Sequence, residues 1–377
     1  MSQILASSTS YITREEAAEL AGKIFSVKKL KTISLKTEPF SIEKLGYLSE
    51  QSLLTIHAQE DIDDRESTHD CTFFAKTLAP ESNAFVKRVF REESHFYGNF
   101  IPLLRNFHVE SWAPQCHLVK ENVLVLDDLK SQGFHLAAGK LTTKQLRAAI
   151  AALARFHASS ILLEKQLKVP LTAAFPGFFG ARKFKNDDGP NSRFLATGME
   201  VGESIACDLG LDSKYVTMAY HIVTQGNHLT GSKWNVICHQ DLWVNNMMFS
   251  EDDESCRLLD FQTVAYGSFA TDVVQILHLN LDRATRLELE NFSLELYHSV
   301  LKEVLLLNVV HLGPLVYLNK QFTEEYTRNP VLQQSYDLVS RKDFVKKVMQ
   351  SDQDYRCRLE EAVKELVNYV DKNRFFQ

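Results

Sequence analysis

The hydrophobic pattern of this chain changes near residue 130. Before that position, short runs at 41–45, 52–56 and 72–78 have the composition and alternation of strands. From Thr142 onward, apolar residues recur at the spacing of amphipathic helices. A strand-rich front and a helix-rich back predict an α+β protein, and 377 residues are enough for two lobes that each bury a core.

Charge and cysteine content exclude several classes of protein. The net charge of −6, with scattered basic residues, gives no reason to expect nucleic-acid binding. The six cysteines are far apart and include no C-x-x-C pair, so neither a disulfide framework nor a zinc site is predicted. A reducing compartment is therefore expected.

The hydropathy pattern of the chain predicts no membrane partner. The first residues lack a signal-peptide pattern, and Thr13 to Glu16 instead has capping-box form and opens a predicted helix. The most apolar stretch, 300–318, contains charged residues and Pro314, which favours a core helix over a membrane span. We expect a cytoplasmic protein, and the sequence leaves its oligomeric state unknown.

Two acids and one amide lie close together in the second half of the chain. Asn246 and Asp260 flank two predicted strands, 247–249 and 257–259, which a polar turn near residue 253 joins into a hairpin. Counting outward from that turn, the two residues fall opposite each other, where an amide oxygen and a carboxylate could ligate Mg²⁺ or Mn²⁺. Asp241, five residues before Asn246, is close enough to act as a base toward an acceptor hydroxyl.

Asp and Asn are also common turn residues, so this spacing alone is a weak motif. The neighbouring elements favour a functional site over an ordinary turn, because a buried-looking strand at 234–238 precedes the loop and Asp260-Phe261 follows the hairpin. The order of these elements predicts a phosphotransferase site.

Lys76 lies among apolar residues in the predicted third strand, where a lysine needs a partner. A helical period over 83–100 places Glu93 in the middle of an apolar face. An ion pair between Lys76 and Glu93 gives each buried charge a partner and directs the ammonium toward nucleotide phosphates, as the strand lysine and helix glutamate of kinases do. The alternative is that Lys76 reaches solvent and that a rotated helix exposes Glu92 or Glu93.

A continuous apolar strand at 122–126 precedes a polar segment and predicts the link between the lobes. The predicted hinge residues, whose backbone would bind the adenine edge, are Leu126, Asp127, Asp128 and Leu129. A plain exit from strand to turn has the same pattern. The predicted boundaries are 1–126 for the N-terminal lobe, 127–133 for the hinge and 134–377 for the C-terminal lobe.

Five segments together resemble one protein family: 123–129, 153–158, 239–246, 260–262 and 272–274. They resemble the ecdysteroid kinase-like proteins of insects, also called CHK kinase-like, over roughly residues 30–350. That family is similar to the choline kinase and aminoglycoside phosphotransferase branch of the bilobal protein-kinase-like fold, with a small strand-rich N-lobe and a larger helical C-lobe. The resemblance implies ATP, Mg²⁺ or Mn²⁺, and a small-molecule hydroxylated substrate, either a steroid-like or a xenobiotic alcohol.

The resemblance also implies a role for each site residue. Lys76 becomes the phosphate lysine and Glu93 its partner, and Asp241 becomes the base. Asn246 and Asp260 become the metal ligands. Asp272 is implied to be structural, either holding the catalytic loop or capping the following helix.

One segment departs from the family pattern. The phosphate-covering turn is usually Gly-x-Asn-Tyr-x-Ser, whereas 45–52 offers a single glycine, Gly46, one residue out of step. Backbone amides need small neighbours to approach phosphates closely. This turn resembles that of the juvenile-hormone-inducible subset and keeps a second hypothesis open, a non-catalytic protein that sequesters a hydrophobic ligand.

The acceptor is expected to bind between the catalytic segments, about 168–233, and to the helices after Asp272. The aromatic run 175–179 could line an apolar pocket that fits a steroid, or it could be ordinary core packing.

Overall fold

The computed structural model describes residues 11–25, 30–40, 49–62, 65–107, 109–179, 190–214, 217–218 and 235–310, and the single positions 350, 351, 353 and 356. The chain divides into two compact units, 1–106 with 111–297, and 107–110 with 298–377. Residues 283–297 of the last described long helix belong to the first unit and residues 298–310 to the second.

The described strands are β1 (Leu30–Pro39), β2 (Glu50–Ile62), β3 (Arg65–Thr77), β4 (Cys116–Val119), β5 (Val123–Asp127), β6 (His135–Leu136), β7 (Asn235–Cys238), β8 (Met247–Phe249), β9 (Cys256–Leu258) and β10 (Ala265–Ser268). The described helices are α1 (Arg14–Phe25), α2 (Ala84–His95), α3 (Ile101–Leu104), α4 (Thr143–Leu167), α5 (Leu171–Ala174), α6 (Pro176–Phe179), α7 (Pro190–Asp208), α8 (Ala270–Asn280) and α9 (Arg283–Val310).

The N-terminal part is an antiparallel five-stranded sheet with the order β1-β2-β3-β5-β4. Helix α1 begins with the predicted capping box, in which the Thr13 amide donates to Glu16 and the Glu16 amide to Thr13. Its apolar face packs on the sheet, and Leu20 shares a core with Ile56 and Phe73. Neighbouring positions of β3 face opposite sides, so Phe73 and Ala75 enter this core while Lys76 points away from it.

The strand predictions for this sheet are partly right. Strands β2 and β3 include the predicted segments 52–56 and most of 72–78. The predicted strand 41–45 lies outside the described residues, and the first strand of the sheet is instead β1, at Leu30–Pro39. Lysine and threonine occupy much of β1, so its pattern gives a weak strand signal.

The predicted helix over 83–100 is correct as far as His95 and differs in its last five residues. Helix α2 ends at His95, a π-helical turn covers Phe96–Phe100, and α3 follows with Pro102 near its start. A proline has no N–H and its ring crowds the preceding turn, so a regular α-helix cannot continue through it. The wider turn accommodates Pro102 without ending the helical path.

The C-terminal part is built around α4. This helix starts with a capping box between Thr142 and Gln145 and is buried along most of its length. By length and composition alone it could span a membrane, but 78% of its most apolar window is buried inside the protein. A core helix explains that burial. The apolar stretch predicted at 300–318 is helical as far as Val310, and its remainder lies outside the described residues.

The hairpin between the candidate ligands is present with a corrected register. Strands β8 and β9 pair Met247 with Leu258, and the turn between them contains Asp253 in a left-handed conformation. Asn246 therefore lies opposite Leu259, whose amide donates to the Asn246 carbonyl at 2.9 Å. The prediction that Asn246 faces Asp260 is wrong by one residue, because the second strand begins at Cys256 and not at Arg257.

Candidate active site

Lys76, near the end of the central strand β3, is held between two carboxylates. Its ammonium donates to Glu93 Oε1 and to Asp260 Oδ1, both at 2.8 Å. Lys76 and Glu93 are 7% and 3% exposed, so the contacts are shielded from solvent. The predicted ion pair between Lys76 and Glu93 is present, and the helix is not rotated to expose Glu93. The contact with Asp260 adds a partner that sequence reasoning did not assign to this lysine.

The charges in this cluster bias one another. Burial works against the charged form of Lys76, but Asp260 and Glu93 outweigh it and hold the pKa of Lys76 above its ordinary value. Burial also opposes ionisation of Asp260, yet the nearby Lys76 ammonium lowers the pKa of that carboxyl. Burial raises the pKa of Glu93, and the Lys76 charge reduces that effect. Asp260 is therefore the more firmly ionised carboxylate of the two.

Asp260 sits at a sharp turn directly after β9. Its backbone is left-handed, with φ of +64°, and a short 3₁₀ turn, Phe261–Thr263, follows it. The ring of Phe261 is fully buried and stacks on Phe96 at 5.1 Å. A buried aromatic anchor next to an unusual backbone angle keeps the Asp260 side chain directed at Lys76.

The loop that carries Asp241 is anchored by Asp272 of α8. Asp272 accepts hydrogen bonds from the backbone amides of His239 at 2.6 Å and Gln240 at 2.9 Å, and it contacts His157. This confirms the first of its two predicted structural roles. It does not cap its helix, because Phe269 occupies the N-cap position and Asp272 lies inside the first turn.

His157, Cys238 and Asp272 place potential metal-binding atoms within 4.8 Å of one another, all buried. Both ring nitrogens of His157 are already engaged, one with Tyr297 and the other with Asp272. The Cys238 thiol contacts the Ser268 carbonyl. This group is a hydrogen-bonded support for the loop, and the metal-like spacing follows from that packing.

Asp241 and Asn246 contact each other directly. The Asn246 amide nitrogen donates to both the carbonyl and the Oδ2 of Asp241 at 2.9 Å. This orientation leaves the amide oxygen of Asn246 as the atom available to a cation. Together with the Asp260 carboxylate it gives hard oxygen donors, which fit Mg²⁺ or Mn²⁺ better than soft metals.

Asp241 is half-buried, and its carboxylate has a shifted acidity. Burial raises the pKa of Asp241, and the negative charge of Asp260 acts in the same direction, against the opposing effects of His239 and Asn246. A raised pKa makes a carboxylate a better proton acceptor at neutral pH. The geometry thus gives Asp241 the environment of a general base.

One cleft collects most of these side chains. Its polar wall contains Lys76, Asn246 and Asp260. Its apolar wall includes Phe74, Leu126, Leu129, Leu136, Met248 and Leu259. Asp241 and Glu93 do not line this cleft but touch residues that do. A polar end beside an apolar slot is the form of a small-molecule site.

The four predicted hinge residues have different surroundings. Leu126, Asp127 and Leu129 line the cleft, whereas Asp128 is buried and accepts a hydrogen bond from Thr72. The Asp127 amide already donates to the Gln115 carbonyl, so it is not available to a base edge. This contact engages the amide of Asp127 and does not involve its carbonyl.

Gly46 lies outside the described residues, so its predicted part in covering phosphates has no structural description. Phe40 lines the cleft, with its ring 4.7 Å from Phe74 and the Lys130 ammonium 3.9 Å from its centre. This aromatic contact joins the N-terminal sheet to the segment after β5 and narrows the cleft.

The aromatic run 175–179 is separate from the cleft. Phe175 and Phe178 line a second cavity of about 360 Å³ with Arg91, Glu92, His95, Phe100 and Gly177. Neither Asp241 nor another predicted catalytic residue lines that cavity. Rings of this run pack on Phe100 and His95 of the α2 region, which favours the core-packing alternative. Much of the predicted acceptor region, including 180–189 and 219–234, lies outside the described residues.

Gln51 and Tyr97 are among the cleft residues that the sequence analysis did not assign to the site. Gln51 pairs with Lys76 across β2 and β3, and Tyr97 lies one helical turn after Glu93. By its helical spacing, Tyr97 belongs to the apolar face predicted for 83–100. Its hydroxyl, at a position four residues from a buried acid, is the signal that distinguishes it from a purely apolar residue.

A comparison with models of known families identifies one family. The family model described as "Ecdysteroid kinase-like family" matches residues 46–309. Among solved structures, a macrolide 2′-phosphotransferase type I is 14% identical with a TM-score of 0.36, covering 82% of this chain and 95% of its own. An ethanolamine kinase from Plasmodium vivax is 12% identical with a TM-score of 0.33, covering 74% of each chain. No curated protein matches the sequence at a significant level.

Proposed function

We propose, since this chain belongs to the ecdysteroid kinase-like family, that it is an ATP-dependent small-molecule O-kinase acting on a steroid-like or xenobiotic alcohol. The observation that carries the proposal is that Lys76, Asn246 and Asp260 line the same cleft. These are the residue types that bind phosphates and a divalent cation. The loop carrying Asp241 brings a carboxylate to the edge of that group.

Lys76 would bind the phosphates of ATP. Its ammonium is fixed by Glu93, which is buried and directs the lysine toward the cleft. In the free protein Asp260 occupies the second donor direction of Lys76, the place that a phosphate oxygen would take. The ion pair thereby keeps a cation ready in a site that is otherwise shielded from solvent.

Asn246 and Asp260 would hold Mg²⁺ or Mn²⁺ through the amide oxygen and the carboxylate. When bound, such an ion neutralises charge on the phosphates and supports in-line transfer. Asn246 is prepared for this because its nitrogen is bound to Asp241, so its oxygen cannot exchange places with it.

Asp241 would accept the proton of the acceptor hydroxyl as that oxygen attacks the γ-phosphorus, with ADP as the leaving group. Its raised pKa suits this role, and its hydrogen bond from Asn246 keeps base and cation site at a constant separation. The alcohol class is inferred from the family alone. We also place the protein in the cytoplasm, in keeping with the free thiols of all five described cysteines.

Thermal unfolding with ATP, with and without MgCl₂, tests this proposal. A specific ligand at about 100 times its dissociation constant should add about 2.7 kcal/mol to the free energy of unfolding. We expect a rise in Tm that needs both ATP and Mg²⁺. Asp260→Asn should abolish the Mg²⁺ dependence, while the matched control Asp252→Asn, in the exposed turn of the same hairpin, should keep it. The absence of any shift in the unaltered protein would refute the kinase and favour the non-catalytic binding protein.

A further inference from the structure

Tyr97 carries a buried hydroxyl that is not hydrogen bonded. Its side chain is fully buried, and no described residue accepts from or donates to its oxygen. Buried polar atoms nearly always have a partner, so each exception calls for an explanation. Tyr97 also lines the same cleft as Lys76 and Asp260. The unpartnered group is therefore part of the candidate active site.

The ring of Tyr97 is held firmly in this place. It meets Phe261, the residue after Asp260, edge-on at 5.5 Å with an interplanar angle of 86°. Its backbone belongs to the π-helical turn Phe96–Phe100, directly after the helix that carries Glu93. π-helical turns inside helices are often found at functional sites. A tyrosine fixed by packing cannot turn to solvent to satisfy its hydroxyl.

The carboxylates that act electrostatically on Tyr97 are Glu93 and Asp260, the two partners of Lys76. Tyr97 follows Glu93 by four residues, and side chains on a helix lean back toward the preceding turn. Burial raises the pKa of Tyr97 well above its ordinary value, and Glu93 and Asp260 add to that effect. The hydroxyl thus stays protonated and remains a donor, and each of these two carboxylates already accepts one hydrogen bond from Lys76.

We propose that Tyr97 is a positioning residue, an inference that rests on the proposed function. Its hydroxyl donates to the Glu93 carboxylate when the Lys76 ammonium moves from Asp260 to a phosphate oxygen of ATP. In the free protein Lys76 links Glu93 to Asp260, and that link ends when Lys76 and Asp260 separate. The Tyr97 hydroxyl replaces the lost support and keeps Glu93 in line with Lys76. In the free protein the Tyr97 hydroxyl lacks a hydrogen bond, which destabilises that state. When ATP and Mg²⁺ are bound, the hydroxyl forms this hydrogen bond and the destabilisation is removed.

This inference predicts opposite effects of one substitution on two states. Tyr97→Phe removes only the hydroxyl and keeps the ring that packs on Phe261. The Tm of the free protein should stay the same or rise by a few degrees, because an unsatisfied buried group has been removed. Calorimetric titration with ATP and MgCl₂ should show binding about tenfold weaker, because the loaded state has lost a hydrogen bond to a charged group.

Tyr266→Phe is the matched control. The Tyr266 hydroxyl donates to Glu164 at 2.7 Å, and Tyr266 is not among the residues that line the cleft. Removing this satisfied hydroxyl should lower the Tm of the free protein and leave the ATP affinity unchanged.

The outcomes separate this inference from the proposed function. If the unaltered protein binds ATP with Mg²⁺ and Tyr97→Phe binds equally well, the positioning role is wrong and the kinase proposal survives. A lower Tm of free Tyr97→Phe would also overturn the inference, because it would mean that the hydroxyl already has a stabilising partner. If the unaltered protein fails to bind ATP, the proposed function falls and the inference falls with it.

Discussion

At the scale of single residues, the account depends on how Asp241 differs from Asp260. Both are carboxylates in one small region, but Lys76 lowers the pKa of Asp260 while burial raises that of Asp241. Two acids whose environments separate their acidities can take different roles, one as a permanent anion for a cation and the other as a proton acceptor. Lys76 contacts only Asp260 of the two, and that contact produces the difference.

Asp241→Asn should lower turnover by roughly 10² to 10⁴-fold, since a positioned base typically contributes that much. The amide keeps the size of the side chain and one oxygen for the Asn246 contact, so ATP binding should change little. Steady-state kinetics and calorimetric titration of the same preparation measure the two effects. Turnover equal to that of the unaltered protein would remove Asp241 from the role of base.

Asp127 should make stability depend on pH in the acid range. Burial works against its charge, but hydrogen bonds from His117 and from the Gln115 amide hold the pKa of Asp127 below its ordinary value. A carboxyl with a lowered folded pKa stabilises above its unfolded pKa, and that contribution disappears as pH falls through the folded pKa. The difference in unfolding free energy between the unaltered protein and Asp127→Asn should be full at neutral pH and shrink below about pH 4. Urea unfolding across pH measures it, and a constant difference would contradict the assignment.

The residues whose charge is unfavourable to bury were the most predictable part of the site. Lys76 and Glu93 each need a partner when buried, and this requirement identified the pair before any coordinates. The second contact of Lys76, to Asp260, joins positions 184 residues apart and depends on how the two halves of the cleft approach each other. The position of Tyr97 in the cleft was difficult to predict, because a tyrosine on an apolar helix face usually packs in the core.

At the scale of elements, α8 supports the loop that carries Asp241 through two side chains, of which Asp272 is fully buried. Asp272 accepts two backbone amides from the loop, and the Gln275 side chain of the same helix binds the loop at Gln240 and Leu242. The loop has no regular structure of its own around His239 and Gln240, so these contacts determine where Asp241 lies.

Asp272→Asn should reduce the free energy of unfolding by about 3 kcal/mol, because one oxygen acceptor becomes an amide donor facing other donors. Urea unfolding followed by tryptophan fluorescence measures the loss. Asp208→Asn, at the exposed end of α7, is the control and should change stability by no more than about 0.5 kcal/mol. A loss for Asp272→Asn no larger than for the control would show that the loop is held by other contacts.

Errors in the predicted elements have local causes. The hairpin was found from its apolar pairs and polar turn, but its register was shifted by one residue because Cys256 and Leu259 are both apolar enough for a strand. The helix over 83–100 was predicted as continuous since Pro102 lies beyond its last apolar position, whereas its effect reaches back into the π-helical turn.

At the scale of the whole molecule, an aromatic cluster connects the parts that carry the site. Phe96 of the π-helical turn stacks on Phe261, and both contact Phe156 of α4. Trp112 packs on Phe156 and Phe261 as well. The residue after Asp260 is therefore embedded in a core shared by the helix that carries Glu93 and the central helix of the C-terminal part. Such long-range packing follows from the family fold and not from any local pattern.

The α+β class, with a strand-rich front and a helix-rich back, was predictable because period-two and helical patterns change at one place in the chain. The residues that bind the acceptor could not be predicted, because they depend on which side chains the folded chain brings close to Asp241. Phe175 to Phe179 illustrates this, since an apolar run that suits a steroid packs instead against the α2 region.

Transfer of phosphate from ATP to an alcohol is the measurement that tests the central claim most directly. The protein is incubated with ATP, MgCl₂ and a panel of ecdysteroids and plant secondary alcohols, and the products are analysed by mass spectrometry beside an Asp241→Asn control. We predict an acceptor that gains one phosphate in an Mg²⁺-dependent reaction that the control performs at least about 100-fold more slowly. Phosphorylation at equal rates by the control, or no phosphorylated acceptor from a protein that binds ATP with Mg²⁺, would contradict the account.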